Sequence, residues 1–248
     1  YEICNEPYFG GVTLAWQHHI VEVIAETERG LGVRHLISQN VANDKAKVVN
    51  PHPAISIFNF HYASPPETVA MNYALNKVIG DNETGFKGTN DLHYRREAWQ
   101  FLLAGGALYN NLDYSFTAGF EDGTFAYPAE TPGGGNPDFR GQMKILKEFI
   151  HSFAFLRMKP GRSVIKGGLP EKASAYALVE VGKQYAIYLA GGSQANLQIE
   201  LPTGRYTAEW VNTKTGKIDR REKLRHPGGV ATLASPVYSE DIALRIVK

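Results

Sequence analysis

The sequence predicts an α/β part joined to an all-β part: the C-terminal portion, about strands four to eight, of a (β/α)8 barrel, followed by an antiparallel β-sandwich. Through the first part, strand-like runs alternate with helical runs, as in βα units around a parallel sheet. After Met158-Lys159-Pro160-Gly161 the pattern changes to short strands separated by turns, which is typical of a sandwich. We therefore predict a partial barrel over 1–159 and an immunoglobulin-like sandwich over 160–248.

Five runs of the first part have the composition and turn boundaries of strands. They are 1–4, 34–41, 55–62, 77–80 and 107–116. Helical spacing predicts helices after most of them, at 13–29, 67–76, 92–103 and 142–155. This order matches strands four to eight of an eight-stranded barrel. A doubly wound sheet is the alternative, although no G-x-G-x-x-G or phosphate-binding loop opens any of these helices.

The second part contains six short runs with strand character and turn residues between them. They are 175–181, 184–189, 195–201, 205–212, 229–233 and 242–247. Pairs such as Gly191-Gly192 and Thr215-Gly216 supply the turns. This spacing favours antiparallel pairing.

The charge balance excludes several classes of partner. In 248 residues, Lys and Arg number 26 against 25 Asp and Glu, a formal net charge of +1, so no field of one sign attracts nucleic acid or anionic lipid. Apolar runs fall far short of the roughly 18 residues that a membrane span needs. Cys4 is the only cysteine, which excludes an intrachain disulfide and a cysteine-based metal site. A neutral or weakly charged substrate fits best.

The first residues read as the body of a strand. Tyr1-Glu2-Ile3-Cys4 has no Met, no signal peptide and no turn before it. We expect the chain to begin inside a domain, so that the other half of the barrel is its expected partner and the isolated chain has little activity without it.

Polar clusters follow the predicted strands at their C-terminal ends, where the reactive groups of a (β/α)8 barrel lie. They are Asn5-Glu6-Pro7, His61-Tyr62, Asp81-Asn82-Glu83, and Asn110-Asn111 with Asp113. We expect all four clusters to face one mouth, with Asn111 and Asp113 among the substrate contacts.

Two carboxylates across such a mouth are what glycosidic bond cleavage requires, and Glu6 and Glu83 are the predicted pair. At a separation of about 5–5.5 Å, Glu83 attacks directly while Glu6, protonated near neutral pH, serves as the acid. The Asn5 amide is suited to hold a sugar 2-hydroxyl, and the Tyr62 phenol to hydrogen-bond the nucleophile. His61 is a sugar contact or a member of that network. This chemistry requires no metal and no cofactor.

Several alternatives remain open at this point. Asp81 is the rival of Glu83, and Glu6 could be an ordinary glutamate at a helix start. The long loop 119–138, with its aromatic residues among glycines, is either a wall of the cleft or a surface loop. Trp210 belongs either to the sandwich core or to an exposed carbohydrate-binding face.

Three segments carry a specific resemblance. Ile3-Cys4-Asn5-Glu6-Pro7 resembles the strand-four Asn-Glu-Pro motif of clan A retaining glycoside hydrolases, which include family 5. Ile79-Gly80-Asp81-Asn82-Glu83-Thr84-Gly85 is similar to the strand-seven segment of that clan, and Phe60-His61-Tyr62 to its strand-six element. The resemblance implies acid/base catalysis by Glu6 and nucleophilic attack by Glu83. His and Tyr are adjacent here, whereas family 5 commonly separates them by one residue.

Two further stretches extend the resemblance. Residues 96–116 resemble apiosidase-like bacterial members of the clan, and residues 185–216 are similar to a C-terminal sandwich labelled collagen-binding in such enzymes. The implied function is cleavage of β-glycosidic bonds in a poly- or oligosaccharide, in a secreted or periplasmic location. The alternative is a non-catalytic carbohydrate- or matrix-binding module with a remnant barrel. An esterase or peptidase lacks support, because no G-x-S-x-G is present.

Overall fold

The computed structural model describes residues 1–248, and its first part is built on a parallel sheet. The strands are β1 (Ser38–Asn43), β2 (Ile57–His61), β3 (Val78–Glu83) and β4 (Leu108–Tyr109), paired in that order. Glu2 adds one parallel bridge to Ser38. A doubly wound sheet reverses its strand order at a switch point, and this sheet runs sequentially without one, as a barrel wall does.

Two predicted strands are much shorter than expected. The run at 1–4 forms only the single bridge of Glu2, and the run at 107–116 is a strand only at Leu108–Tyr109. Beyond Tyr109 the chain turns into the loop before the last helix, where its polar groups bond to loop backbone and to Arg140. Strand composition alone was therefore a poor guide to length at these two places.

The first part contains four helices, which alternate with the strands or follow the last of them. They are α1 (Leu14–Leu31), α2 (Glu67–Asn72), α3 (Asp91–Leu103) and α4 (Pro137–His151). The side chains of Thr13, Asn90 and Asn136 accept hydrogen bonds from first-turn N–H groups of α1, α3 and α4. The last helix begins five residues before the predicted start, because Asn136 caps it and Pro137 fits the first turn.

Strand β2 shows how the sheet separates its apolar and polar faces. Phe58 and Phe60 are fully buried in a core shared with Val21 of α1. The alternate residues Asn59 and His61 point to the opposite face of the sheet. The helices therefore cover the hydrophobic side, and the polar side is left for the site.

The second part contains two antiparallel sheets. The strands are β5 (Lys159–Pro160), β6 (Ile165–Gly167), β7 (Ser174–Glu180), β8 (Gln184–Ala190), β9 (Asn196–Leu201), β10 (Gly204–Val211), β11 (Ile218–His226), β12 (Gly229–Ala234) and β13 (Asp241–Val247). They pair in the orders β11-β10-β13-β8-β7-β5 and β12-β9-β6. Both sheets contribute side chains to a core of 20 buried residues, among them Tyr185 and Trp210 from one sheet and Leu197 from the other.

Strand β11 was not predicted from the sequence. Its residues Ile218-Asp219-Arg220-Arg221-Glu222-Lys223-Leu224-Arg225-His226 are mostly charged and exposed. It is the edge strand beside β10, and charged side chains are common on such edges because they discourage pairing with another chain. Its composition therefore resembles that of a loop.

The two parts pack closely through α3, α4 and the six-stranded sheet. Trp99 of α3 stacks on Tyr188 of β8, with ring centroids 5.3 Å apart. Beside them, the buried Arg95 guanidinium donates to Asp241 at 3.0 Å and to Glu240 at 2.9 Å. Strand β8 is buried along its whole length as a result. No helix of the chain combines the length and hydrophobicity needed to cross a bilayer.

Candidate active site

A slip in strand register directs Glu83 into the mouth of the parallel sheet. Phe60 lies opposite Asp81, but the next residue, His61, lies opposite Glu83, so β3 carries one extra residue at this point. Such bulges re-aim side chains and are common beside active sites. Without the slip, Glu83 would share the outward face of Asp81.

Glu6, His61 and Glu83 meet at this mouth. Nδ1 of His61 lies 3.0 Å from Oε1 of Glu6 and 3.8 Å from Oε2 of Glu83. One carboxylate oxygen of Glu6 lies within 4.8 Å of one of Glu83. The carboxylates are about one quarter exposed, 23% and 24%, whereas the His61 side chain is completely buried. The two acids are thus open to a ligand, while the buried imidazole hydrogen-bonds to Glu6 and lies beside Glu83.

Each carboxylate also has a tyrosine beside it. The Tyr62 phenol donates to Oε1 of Glu83 at 2.6 Å. Burial raises the pKa of Tyr62, and its hydrogen bond to Glu83 and the charge there raise it further. Burial likewise raises the pKa of Tyr8, with the charges of Glu6 and Glu83 adding to the effect. Both phenols therefore keep their protons and act as donors.

Tyr8 was missed from the sequence, although it stands two residues after Glu6. Its phenol hydrogen-bonds to Oδ1 of Asn43, at the end of β1. The side chain of Asn40, on the same strand, accepts a 3.1 Å hydrogen bond from the backbone N–H of Glu6. The position of Tyr8 in the Asn-Glu-Pro-Tyr run was the available signal. Nothing local marked the two asparagines.

Three residues at or beside the site have a strained backbone conformation. Glu6, Tyr62 and Phe86 have φ values of 43°, 55° and 61°, in the left-handed region that non-glycine residues seldom adopt. Such conformations persist where the surrounding structure fixes them, and they cluster at functional sites. Tyr62 and Phe86 are the more notable, because bulky aromatic residues rarely take this conformation.

A polar network lines the interior below the carboxylates. Oε2 of Glu2 accepts 3.0 Å hydrogen bonds from the side-chain amides of Asn59 and Asn82. Gly80 makes room for this arrangement, since a Cβ there would lie 2.4 Å from Oδ1 of Asn59. The network joins the first residues of the chain to β2 and β3.

Asp81, the rival carboxylate, lies elsewhere. It is fully buried and accepts a 3.2 Å hydrogen bond from the backbone N–H of Ala63. Burial raises the pKa of Asp81 to about 8, and the charge of Glu97 on α3 contributes. Asp81 therefore faces the helix layer, and Glu83 is the strand-end acid that meets Glu6.

The other predicted substrate contacts are placed less directly. Asn5 is exposed next to Glu6 and has no side-chain hydrogen bond. The amide of Asn111 donates to Gly134 O at 3.3 Å, and Asp113 forms a 3.0 Å ion pair with Arg140. These last two side chains hold the loop before α4, so their hydrogen bonds go to the protein. A role for Asn5, Asn111 and Asp113 in substrate binding stays a prediction.

The loop over 119–138 is attached beside the site. Pro132 accepts a hydrogen bond from the backbone N–H of Phe86, three residues after Glu83. Gly134 N donates to Leu112 O at 2.7 Å. These backbone bonds join the loop to the segments after β3 and β4.

The same three groups that meet at the mouth could hold a metal ion. Glu6, His61 and Glu83 each offer one donor atom, all within 4.8 Å of one another. Two carboxylates and an imidazole are a donor set that several divalent metals accept. The alternative use of these groups is acid–base and nucleophilic chemistry without a metal, which needs two carboxylates at this spacing.

Comparison with known proteins gives the fold. No family model matches the sequence, and no curated protein matches it. A solved structure described as a glycoside hydrolase superposes with a TM-score of 0.72 at 20% identity, covering 96% of this chain and 62% of that one. A glycoside hydrolase family 5 protein from Bacteroides vulgatus gives 0.66 at 19% identity, covering 94% and 60%. The chain has the fold of these proteins.

A glucosidase from Croceicoccus marinus shares that fold more distantly, with a TM-score of 0.53 at 12% identity, covering 100% of this chain and 68% of that one. The chain spans about three fifths of the length of the first two structures. At these identities the likeness concerns fold, and it confirms the predicted relation to glycoside hydrolase barrels at that level.

Proposed function

We propose that this chain carries the catalytic centre of a retaining β-glycosidase, with Glu83 as nucleophile and Glu6 as acid/base. The observation that carries the proposal is the separation of the two carboxylates, within 4.8 Å between their nearer oxygens. Retaining enzymes place the pair about 5–5.5 Å apart, whereas inverting enzymes need roughly 6.5–9.5 Å to admit a water. The short spacing favours direct attack.

The reaction proceeds in two displacements. An oxygen of Glu83 bonds to the anomeric carbon as the bond to the leaving oxygen breaks, and Glu6 gives its proton to that oxygen. Glu6, now a carboxylate, takes a proton from water, whose oxygen attacks the anomeric carbon and releases Glu83. Atoms and charge balance, and Glu6 regains its proton.

The surrounding residues support these roles. The Tyr62 phenol stabilises ionised Glu83 through its 2.6 Å hydrogen bond. Nδ1 of His61 orients Glu6 at 3.0 Å. A net charge of +1 fits a neutral oligo- or polysaccharide substrate, which in turn suggests a secreted or periplasmic location.

Covalent trapping tests the proposal. The chain is incubated with 2,4-dinitrophenyl 2-deoxy-2-fluoro-β-glycosides of glucose, xylose and mannose, and its mass is measured. We expect one sugar to be retained on Glu83, and the Glu83→Gln and Glu6→Gln variants to lose turnover of the matching unfluorinated glycoside. Undiminished turnover in Glu83→Gln would refute the assignment.

A non-catalytic carbohydrate- or matrix-binding module is the second candidate, because the chain spans only part of the enzymes it resembles. We assign the two antiparallel sheets that share one core as a β-sandwich domain beginning near residue 160, where β5 joins the larger sheet. Trp210 is fully buried in that core, which removes it as an exposed sugar platform. Binding of a polysaccharide without any Glu83-dependent hydrolysis would favour this candidate.

We further propose that the rest of a barrel completes the parallel sheet. Strand β4 is an edge strand, paired only with β3. A groove of about 1170 Å³ lies between it and α4, with Leu108, Met143 and Ile150 among its lining residues. An additional parallel strand with its helix has the shape and apolar character to fill this groove.

A further inference from the structure

Two exposed phenylalanines pack against the two tyrosines of the site. Phe86 is 64% exposed and Phe9 is 74% exposed. The Phe86 ring packs edge-on against Tyr62, with centroids 5.5 Å apart, and Phe9 packs against Tyr8 at 5.1 Å. Each phenylalanine thus rests on the tyrosine that serves one catalytic carboxylate.

The backbone of Phe86 is fixed on both sides of its ring. Its φ of 61° lies in the left-handed region, and its N–H bonds to the carbonyl of Pro132. Gly85 before it cannot carry a side chain, because a Cβ there would lie 2.6 Å from that same carbonyl oxygen. The loop and the glycine therefore hold an aromatic ring in solvent at a conformation that aromatic residues seldom adopt.

A large apolar ring held out beside a polar, catalytic cleft suits a ligand with an apolar face. Ligand sites combine a few polar groups with apolar and aromatic surfaces. A β-linked pyranose presents its axial C–H groups on one face and its hydroxyls around the rim. An aromatic ring covers that face while the carboxylates and tyrosines meet the rim.

We propose that Phe86 and Phe9 are two sugar-binding platforms of a single cleft. This inference rests on the proposed function, which also orders them. The nucleophile Glu83 bonds to the anomeric carbon of the sugar that is retained, so Phe86, which packs on the tyrosine beside Glu83, binds that glycone. The acid Glu6 reaches the leaving oxygen, so Phe9, which packs on the tyrosine beside Glu6, binds the departing sugar.

The two roles separate kinetically. A glycosyl fluoride has a glycone but no leaving sugar, whereas a disaccharide has both. The Phe86→Ala and Phe9→Ala variants are assayed on two pairs of substrates, each substrate separately. One pair is β-D-glucosyl fluoride and cellobiose, and the other is β-D-xylosyl fluoride and xylobiose. Phe155→Ala is the matched control, because Phe155 is 37% exposed and stacks on His151 at the end of α4.

We expect Phe86→Ala to raise KM by about 10-fold or more for both members of a pair, as loss of an apolar ligand contact does. Phe9→Ala raises KM by a similar factor for the disaccharide and leaves the fluoride unchanged. KM values of both variants equal to those of Phe155→Ala would overturn the inference. Equal effects of Phe9→Ala on fluoride and disaccharide would overturn its leaving-sugar role.

Binding provides a readout that does not depend on turnover. Affinities for cellotetraose and xylotetraose are measured by calorimetry on the full chain, and we expect at least one to bind and both variants to weaken it by about 10-fold. Unchanged affinity, or no binding of either, overturns the platforms. Failure of the proposed function has a different signature: hydrolysis that is absent, or that persists in Glu83→Gln, while the platforms still bind.

Discussion

Tyr62 and Glu83 are joined twice across neighbouring strands. The Tyr62 backbone N–H donates to the Glu83 carbonyl at 2.9 Å, and its phenol donates to Oε1 of the same residue at 2.6 Å. The backbone bond follows from the register slip that places His61 opposite Glu83, and the φ of 55° at Tyr62 turns its ring over the carboxylate. The backbone conformation of Tyr62 thereby fixes the position of the Glu83 carboxylate.

Tyr62→Phe removes only the phenol hydroxyl of this pair. A hydrogen bond to a charged group contributes about 1.5–3 kcal/mol, so kcat/KM for an aryl glycoside should fall by roughly 10- to 100-fold. Tyr73→Phe is the control, because the Tyr73 phenol is exposed and forms no hydrogen bond. Equal rates for the two variants would show that the phenol does not stabilise the nucleophile.

Asp81→Asn should change how stability depends on pH. Burial raises the pKa of Asp81 from 3.8 to about 8, so the folded chain keeps a proton that the unfolded chain releases. The stability from this group is present below pH 4 and is lost as pH rises toward 8. Across that window, we expect the free energy of unfolding of the variant to rise relative to that of the parent chain by at most about 1.4 kcal/mol per pH unit.

Denaturant unfolding from pH 4 to pH 9 measures this effect. The exposed carboxylate of Asp219 on β11 provides the matched control, Asp219→Asn. A difference between Asp81→Asn and the parent chain that stays constant with pH would contradict the buried, protonated state of Asp81.

Arg95→Met tests the contact between the two parts of the chain. Arg95 is 2% exposed and Asp241 is fully buried, so the substitution leaves a buried carboxylate without its cation. Loss of one partner of such a pair costs about 3–5 kcal/mol in the free energy of unfolding. Lys144→Met breaks an exposed pair with Glu148 and should cost about 0–1 kcal/mol.

Urea unfolding compares the two variants. Similar stabilities of Arg95→Met and Lys144→Met would mean that the pair of Arg95 and Asp241 does not hold α3 against β13.

Removal of divalent metal should leave the glycosidase reaction intact. Glu6, His61 and Glu83 are close enough to bind an ion, but the two-step displacement uses them as acid, support and nucleophile. Dialysis against EDTA should therefore change the rate by less than about twofold, whereas metal-ion catalysis would be lost with its ion. Activity lost on dialysis and restored by Zn²⁺ would assign a metal role to the same three residues.

The local sequence determined which elements form and which carboxylates stand at strand ends. Alternation of apolar and polar residues marks β9, continuous apolar runs mark β8 and β13, and the run Asn5-Glu6-Pro7 marks the end of the first parallel segment. These features depend on neighbours in the chain, so they can be read from a window of a few residues. For the same reason β11 was missed, since an exposed edge strand has no buried face to leave a pattern.

Only the tertiary structure decided how those residues point. Asp81 and Glu83 are two residues apart and would share a face in a regular strand, yet the slip opposite His61 buries one against α3 and turns the other toward Glu6. Three further residues joined the site in the same way: Tyr8 through Asn43, Asn40 through the backbone N–H of Glu6, and Phe86 through Tyr62 and Pro132. Register and loop attachment are set by packing between distant segments, so the amino-acid pattern around each residue does not contain them.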